Sequence, residues 1–144
     1  GVSVSGEPDG QVSGFAYAAG RGTLMRTHTI SALPPGFTGP PAAADLHVTP
    51  DGRFLYASVR ATSTLAGFRI DPATGALMAI GSLPTESKPR GFNIDPSGRY
   101  LLAVGQNSNA LSIHAIDPAS GALTRLKHHA FGRNPNWVEI LDLP

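Results

Sequence analysis

Apolar and polar residues alternate with a period of two along most of this chain, and turn-forming residues interrupt the alternation every few positions. This period, with β-branched and aromatic residues between the interruptions, predicts short β-strands rather than helices. Proline presets φ and glycine supplies positive φ, so the interruptions are predicted turns. In the segment 45–90 the pattern predicts four strands, at 46–48, 54–59, 65–70 and 76–81.

The same pattern returns without insertion after 46 residues. Residues 45–80 and 91–126 share 13 identities in 36 positions, and the turn Asp-Pro-Ala-Thr-Gly at 71–75 returns as Asp-Pro-Ala-Ser-Gly at 117–121. A repeat of this length with four strands is typical of one blade of a β-propeller. We therefore predict an all-β propeller of four-stranded antiparallel blades.

The chain holds about three blades. We divide it into a partial blade at 1–36, blades at 45–90 and 91–134, and the first strand of a closing blade within 135–144, with that strand at Trp137–Leu141. Three blades cannot close a ring, and the chain opens on glycine rather than methionine. We expect a fragment whose N-terminal blades are missing. A compact three-sheet domain that stands alone is the alternative.

Composition narrows the class of protein. The 144 residues carry a formal net charge of +1 with 15% charged residues, which argues against nucleic-acid or membrane-surface binding driven by charge. The chain has no cysteine, which removes disulfides and cysteine-based zinc sites and is compatible with a cytoplasmic protein. No run of about 18 apolar residues predicts a membrane span.

The order of strands in a blade divides the loops between two ends of the sheets. The turn end carries the turns at 50–52, 71–75, 96–98 and 117–121, whose residues repeat between blades. The loop end carries the loop after each second strand and the crossovers between blades. Function concentrates on such loops, and the polar residues of the loop end include Arg60, Glu86, Lys88, Arg90, Gln106, Asn107, Asn109, His129, Arg133 and Asn134.

One position at the loop end changes its chemistry from blade to blade. Glu7, Arg60 and Gln106 occupy equivalent places just after the second strand. A position that served only the fold should keep one residue type, as Gly52 and Gly98 do. These three residues are therefore candidate site residues, and solvated loop charges are the alternative.

The crossover at 86–92 is the second candidate. Arg90 could form a fork on a carboxylate or phosphate, with Glu86 and, on the next crossover, Arg133 as further contacts. The alternative is a surface ion pair between Glu86 and Arg90, which would contribute little.

Polar residues within the strands and the histidine pair give weaker signals. His47, Asn93 and Glu139 share one position of the first strands, where structural hydrogen bonds are favoured over a role in lining the channel. The pair at 128–129 lacks a third ligand at useful spacing, so no metal site is predicted. Neither a nucleophile elbow nor a phosphate-binding glycine loop follows a strand.

The segments 44–58 and 89–98 resemble the β-propeller type of 6-phosphogluconolactonase, as do Phe-Thr-Gly at 37–39 and Asn-Pro-Asn-Trp-Val at 134–138. The resemblance covers nearly the whole chain. It implies the C-terminal part of a seven-bladed ring, since seven such repeats would be about 320 residues. It also implies hydrolysis of 6-phosphogluconolactone to 6-phosphogluconate, a step of the pentose phosphate pathway in carbohydrate metabolism; a related branch acts on muconate lactones.

The resemblance also assigns roles. Glu7 matches the family's acid after a second strand and would be the general base on water, directly or through a histidine of the missing blades, although Gly6 replaces the usual asparagine. Arg60 matches the family's arginine and would stabilise the oxyanion or hold a carboxylate or phosphate, although Val59 replaces asparagine. Arg90 matches the family's Pro-Arg crossover and would be a secondary anion anchor. Such a hydrolase needs no cofactor or metal, and the fragment alone is expected to be inactive.

A non-enzymatic propeller of the surface-layer or WD-repeat kind, used as a binding scaffold, is the competing hypothesis. Strings such as Pro-Asp-Gly-Arg-Phe-Leu-Tyr at 50–56 occur in both classes, whereas Arg60 and the segment 86–92 favour the enzyme.

Overall fold

Antiparallel β-sheet accounts for all the regular structure of the described residues. The computed structural model describes residues 2–6, as backbone, and residues 8–141. The strands are β1 (Val2–Gly6), β2 (Gln11–Ala18), β3 (Thr23–Ser31), β4 (Ala43–Val48), β5 (Phe54–Val59), β6 (Thr64–Ile70), β7 (Leu77–Pro84), β8 (Pro89–Ile94), β9 (Tyr100–Gly105), β10 (Ala110–Ile116) and β11 (Leu123–Ala130).

The strands form three sheets in chain order. β1–β3 make a three-stranded sheet, and β4–β7 and β8–β11 make two four-stranded sheets in which each strand pairs with its neighbour in sequence. β4 lies beside β8, and β1 lies beside β4, so the sheets are arranged around one axis with β4 and β8 innermost. Four-stranded antiparallel sheets in this arrangement are propeller blades, which confirms the predicted fold class.

Both faces of the middle sheet are buried at β5, and the period of two in this strand explains why. Leu55, Ala57 and Val59 pack in the core shared with the first sheet, whereas Phe54 and Tyr56 pack in the core shared with the third. All six residues of β5 are buried. A strand whose side chains alternate between two cores reads as continuously apolar, so this strand was predicted with its observed bounds.

The turn end links the second and third sheets by direct hydrogen bonds. The hydroxyl of Tyr56 donates to the carbonyl of Gly121 at 2.7 Å, and Arg53 donates to the carbonyl of Pro118 at 2.8 Å. The guanidinium groups of Arg53 and Arg69 lie 5.2 and 5.3 Å from the centre of the Phe54 ring. The two hydrogen bonds fix one blade against the next, whereas the contacts between the arginines and the Phe54 ring lie within the second sheet.

The other strand predictions differ at their edges. The strands expected at 46–48, 65–70 and 76–81 are observed at 43–48, 64–70 and 77–84. The ends extend because pairing with a neighbouring strand continues past the apolar run that marks each strand in the sequence.

The strand predicted at Trp137–Leu141 stays a prediction. Residues 135–141 form no backbone ladder with the part of the chain that the structure describes. They run beside β8, where Asn93 Nδ2 donates to the carbonyl of Val138 at 3.4 Å and to Glu139 Oε1 at 3.2 Å. Side-chain bonds do not make a ladder, and no described segment supplies the backbone pairing that a strand requires.

Candidate functional site

The loop end is formed by the loops 60–63 and 106–109 and by the crossovers 32–42 and 85–88. Each loop is bonded to the crossover that precedes its sheet: the amide of Arg60 donates to the carbonyl of Ala42 at 2.7 Å, and the amide of Gln106 donates to that of Lys88 at 3.1 Å. These two bonds are equivalent in the repeat. The backbone therefore places Arg60 and Gln106 in matching positions of adjacent blades.

Unusual backbone conformations concentrate at this end. Among the described residues other than glycine, positive φ occurs only at Ser63, Lys88, Asn109 and Asn134, with values of 51–56°. All four lie in the loops or crossovers of the loop end. Such conformations persist only where surrounding contacts impose them and are frequent at functional sites.

Arg60 is half-buried at the end of β5. Its Nη2 lies 3.5 Å from the carbonyl oxygen of Ala43, the first residue of β4. The guanidinium is therefore held against the beginning of an innermost strand. A partly buried cation in a fixed position interacts more strongly with a developing negative charge than a solvated one does.

Arg90 lies in the same corner, on β8. Its side chain is exposed, and its carbonyl accepts a hydrogen bond from Ser58 Oγ at 3.3 Å. Because Ser58 is two residues before Arg60 on β5, the backbone positions of the two arginines are brought together. Among the predicted site residues, Arg60 and Arg90 are the pair that contacts between strands connect most directly.

Glu86 is not brought to this corner. Its side chain is only 3% exposed and accepts hydrogen bonds from Ser112 Oγ and, at 2.8 Å, from His128 Nδ1, with Arg125 Nη2 at 3.4 Å. Burial raises the pKa of Glu86, but hydrogen bonds from Ser112, Ser108 and His128 outweigh it and hold that pKa below its ordinary value.

Glu86 therefore anchors the crossover to the third sheet. The alternative of a surface ion pair between Glu86 and Arg90 is wrong, because the carboxylate of Glu86 pairs with Arg125 and His128 instead. A charge that is buried and bonded in this way is unavailable to a solute unless the crossover moves.

The remaining predicted residues lie farther along the loop end. Gln106 is half-buried and its Nε2 donates to Asn136 Oδ1. Arg133 is exposed in the segment after β11. Glu7, the predicted general base, lies outside the described residues.

His47, Asn93 and Glu139, which share one position in the repeat, make structural hydrogen bonds, as expected from the sequence. His47 Nε2 lies 3.1 Å from Asp45 Oδ2, and its ring packs edge-on against Phe92 with centroids 4.9 Å apart. Glu139 bonds Asn93 and, at 3.1 Å, the indole nitrogen of Trp137.

Two residues that connect the arginines were missed in the sequence. Ser58 and Asp45 form the contacts between β4, β5 and β8, yet both stand among apolar neighbours with no motif around them. The repeat held a signal, because the equivalent positions in the next blade are Val104 and Gly91. A polar residue that replaces an apolar one in register indicates a local requirement.

The described residues contain no cluster of three or more histidine, aspartate or glutamate side chains that could hold a metal ion. No helix long and apolar enough to cross a membrane occurs among them either.

Comparison with known proteins shows the family. The sequence model described as "Lactonase, 7-bladed beta-propeller" matches residues 3–140. The chain belongs to the seven-bladed β-propeller lactonase family. This membership confirms the resemblance drawn from the sequence and gives the scaffold hypothesis less support than the lactonase hypothesis.

Similar proteins carry lactonase names. The chain is 42% identical to a 6-phosphogluconolactonase of Pectobacterium carotovorum over 95% of its own length and 41% of the relative's. A crystal structure from Bacteroides fragilis superimposes with a TM-score of 0.88 at 32% identity, covering 97% of this chain and 38% of that one. The structure of the periplasmic gluconolactonase of Pseudomonas aeruginosa superimposes with a TM-score of 0.81 at 37% sequence identity. That superposition covers 88% of this chain and 35% of the gluconolactonase. The chain thus spans between about a third and two fifths of the length of each of these proteins.

Proposed function

We propose that the protein carrying this chain hydrolyses a sugar lactone, 6-phosphogluconolactone, to 6-phosphogluconate at the loop end of a complete ring. The observation that carries the proposal is the placement of Arg60. This half-buried cation is held against the start of β4 in a chain 42% identical to a 6-phosphogluconolactonase. The blades that would complete the ring and part of the site lie beyond this chain, which covers 41% of that relative.

Lactone hydrolysis needs a group that stabilises negative charge on the ring carbonyl. Water adds to the carbonyl carbon, the carbonyl oxygen becomes an oxyanion, and the ring oxygen leaves with a proton. Arg60 supplies the charge for the oxyanion. Glu7 is the proposed general base that takes the proton from water; when the oxyanion collapses to the carboxyl group and the bond to the ring oxygen breaks, Glu7 returns that proton to the ring oxygen.

The rest of the loop end binds the substrate. Arg90 is the proposed anchor for the phosphate, because a guanidinium matches the geometry of phosphate oxygens. Gln106 and Arg133 are proposed as weaker contacts. The proposed chemistry uses neither a metal nor a cofactor.

The test compares arginines at the two ends of the same strand. Arg60→Ala in the complete-ring protein should lower kcat/KM for 6-phosphogluconolactone about 100-fold or more, as loss of one oxyanion donor does. Arg53→Ala, at the turn end, should leave kcat/KM within about twofold once folding is matched. An unchanged rate in Arg60→Ala would remove this residue from the mechanism.

The scaffold hypothesis gives the opposite result. A protein that serves only for binding would show no lactone hydrolysis in any variant. This chain without further blades is expected to be inactive, so rates should be compared between the chain alone and the complete ring. A cytoplasmic location stays a prediction, which fractionation of the source cells would test.

A further inference from the structure

The backbone of Arg90 is held by a buried serine. Ser58 is fully buried, its Oγ accepts a hydrogen bond from the amide of Asp45 at 3.0 Å, and it donates to the carbonyl of Arg90 at 3.3 Å. One hydroxyl therefore joins β4, β5 and β8. With both hydrogen-bonding roles used, its orientation is fixed.

Asp45 holds the other side of the same segment. Its Oδ2 accepts a hydrogen bond from the amide of Phe92 at 3.3 Å. β8 pairs regularly with β9 at Pro89 and again from Phe92 onward, with an irregularity between. Arg90 thus lies in the irregular stretch, and bonds from neighbouring strands replace the missing ladder contacts.

The segment after β11 closes the remaining side. A Cβ atom added at Gly91 would lie 2.5 Å from the carbonyl oxygen of Asn136 and 3.2 Å from the Cα of Trp137. Backbone atoms cannot yield to such an overlap. The backbone around Arg90 is therefore held by the bond from Ser58, by the bond between Asp45 and Phe92, and by the close contact of Gly91 with residues 136–137.

The side chain of Arg90 contrasts with its fixed backbone. The guanidinium is exposed and makes no hydrogen bond or ion pair with the part of the chain that the structure describes. The fixed backbone sets the point from which the side chain of Arg90 extends, whereas the flexible side chain itself still loses rotamer freedom when it binds an anion.

The repeat shows that a blade does not require this arrangement. In the third sheet the positions of Ser58 and Asp45 are occupied by Val104 and Gly91. Neither side chain can make the two bonds, yet that sheet has the same strand order. The strand order of a blade therefore does not require this pair.

We propose that Ser58 and Asp45 are positioning residues that fix Arg90 so that its guanidinium selects the phosphate of a phosphorylated ligand. The inference rests on the proposed function, which it deepens by assigning selectivity for the phosphate to one contact between blades. Ser58 and Asp45 touch no ligand and act through the backbone of Arg90.

Binding measured by calorimetry on the complete-ring protein tests the proposal, with 6-phosphogluconate and gluconate as probes. The wild type should bind the phosphorylated probe more tightly. Ser58→Ala should reduce the ratio of the two affinities about tenfold, because a small displacement of a binding group is costly. Thr49→Val, which removes a buried hydroxyl at the turn end of β4, should leave the ratio unchanged.

A double variant separates positioning from general damage. Arg90→Ala should abolish the preference, and adding Ser58→Ala should change the ratio no further. Asp45→Asn keeps the side chain's shape and serves if Ser58→Ala folds poorly; it should weaken the preference with Arg90 present and not without it. A preserved ratio in Ser58→Ala or Asp45→Asn, effects that add in the double variant, or no preference in the wild type would each overturn the proposal.

Failure here differs from failure of the proposed function. A protein that hydrolyses lactones but shows no change in phosphate preference refutes only the positioning role. A protein that hydrolyses no lactone refutes the proposed reaction, while the binding ratios still decide the role of Ser58 and Asp45.

Discussion

The turn end and the loop end repeat in different ways. At the turn end, Asp71 Oδ1 accepts bonds from the amides two and three residues later at 2.9 and 2.8 Å, and Asp117 Oδ1 accepts the same pair at 3.1 and 2.7 Å. Backbone and side chain are both reproduced. The hydrogen bonds of each aspartate stay within its own five-residue turn.

At the loop end only the backbone is reproduced. Arg60 and Gln106 make equivalent amide bonds to the crossover, but the side chain of Arg60 approaches the carbonyl of Ala43, whereas that of Gln106 bonds Asn136. The scaffold thus holds the position constant while the side chain varies. A repeat reveals a site where the backbone recurs and the side-chain chemistry does not.

The largest expected effect comes from making the two loop-end positions alike. Arg60→Gln in the complete ring gives this position the residue of the next blade and should lower kcat/KM for a phosphorylated sugar lactone about 100-fold. Gln106→Arg should change it by less than about tenfold, since Gln106 is proposed only as a binding contact. Equal losses in the two variants would contradict the distinction between the positions.

The next effect concerns a buried histidine beneath the loop end. Burial first, and then the charge of Arg125, lowers the pKa of His114 to about 4, so the folded protein keeps it neutral while the unfolded chain takes up a proton below about pH 6.5. Stability should therefore fall as the pH decreases from about 6.5 toward 4, by about 2 kcal/mol between pH 7.5 and pH 5.

Urea unfolding at the two pH values measures this loss. His114→Gln should remove most of the difference between them, because no buried imidazole remains to be protonated on unfolding. A variant as acid-sensitive as the wild type would assign the effect to other groups. Glu86, whose pKa is held below its ordinary value, contributes in the same direction only at lower pH.

A smaller effect is expected at the turn end, between blades. Tyr56→Phe removes the hydrogen bond to the carbonyl of Gly121 and leaves that buried acceptor unsatisfied, which should cost about 1–2 kcal/mol of unfolding free energy. Tyr100→Phe is the control, because that ring is partly exposed. An effect on kcat/KM beyond that of the reduced stability would contradict the separation of the two ends.

The smallest effects should come from the repeated turns themselves. Asp71→Ala and Asp117→Ala each remove the same bonds from an exposed carboxylate, so their melting temperatures should fall slightly and equally. Differential scanning calorimetry of the two variants checks this equality. A marked difference would mean that the copies are stabilised by their surroundings rather than by their own residues.

The sequence predicted local features well. The bounds of β5 were predicted correctly because its apolar run and its flanking turns are formed by consecutive residues. The strand expected at Trp137–Leu141 stays a prediction, because its pairing depends on a partner distant in sequence that the described residues do not supply. The burial of Glu86 was missed for the same reason, since its partners Ser112 and His128 lie on other strands.

By itself, the sequence determined the blade, its turns and the position whose residue varies as Glu7, Arg60 and Gln106, because the repeat period and the turn chemistry are local properties. Only the tertiary structure decided that Glu86 is an internal anchor, and that Ser58 and Asp45 hold Arg90. Those contacts join different strands and sheets, and which side chains meet there depends on how the blades pack.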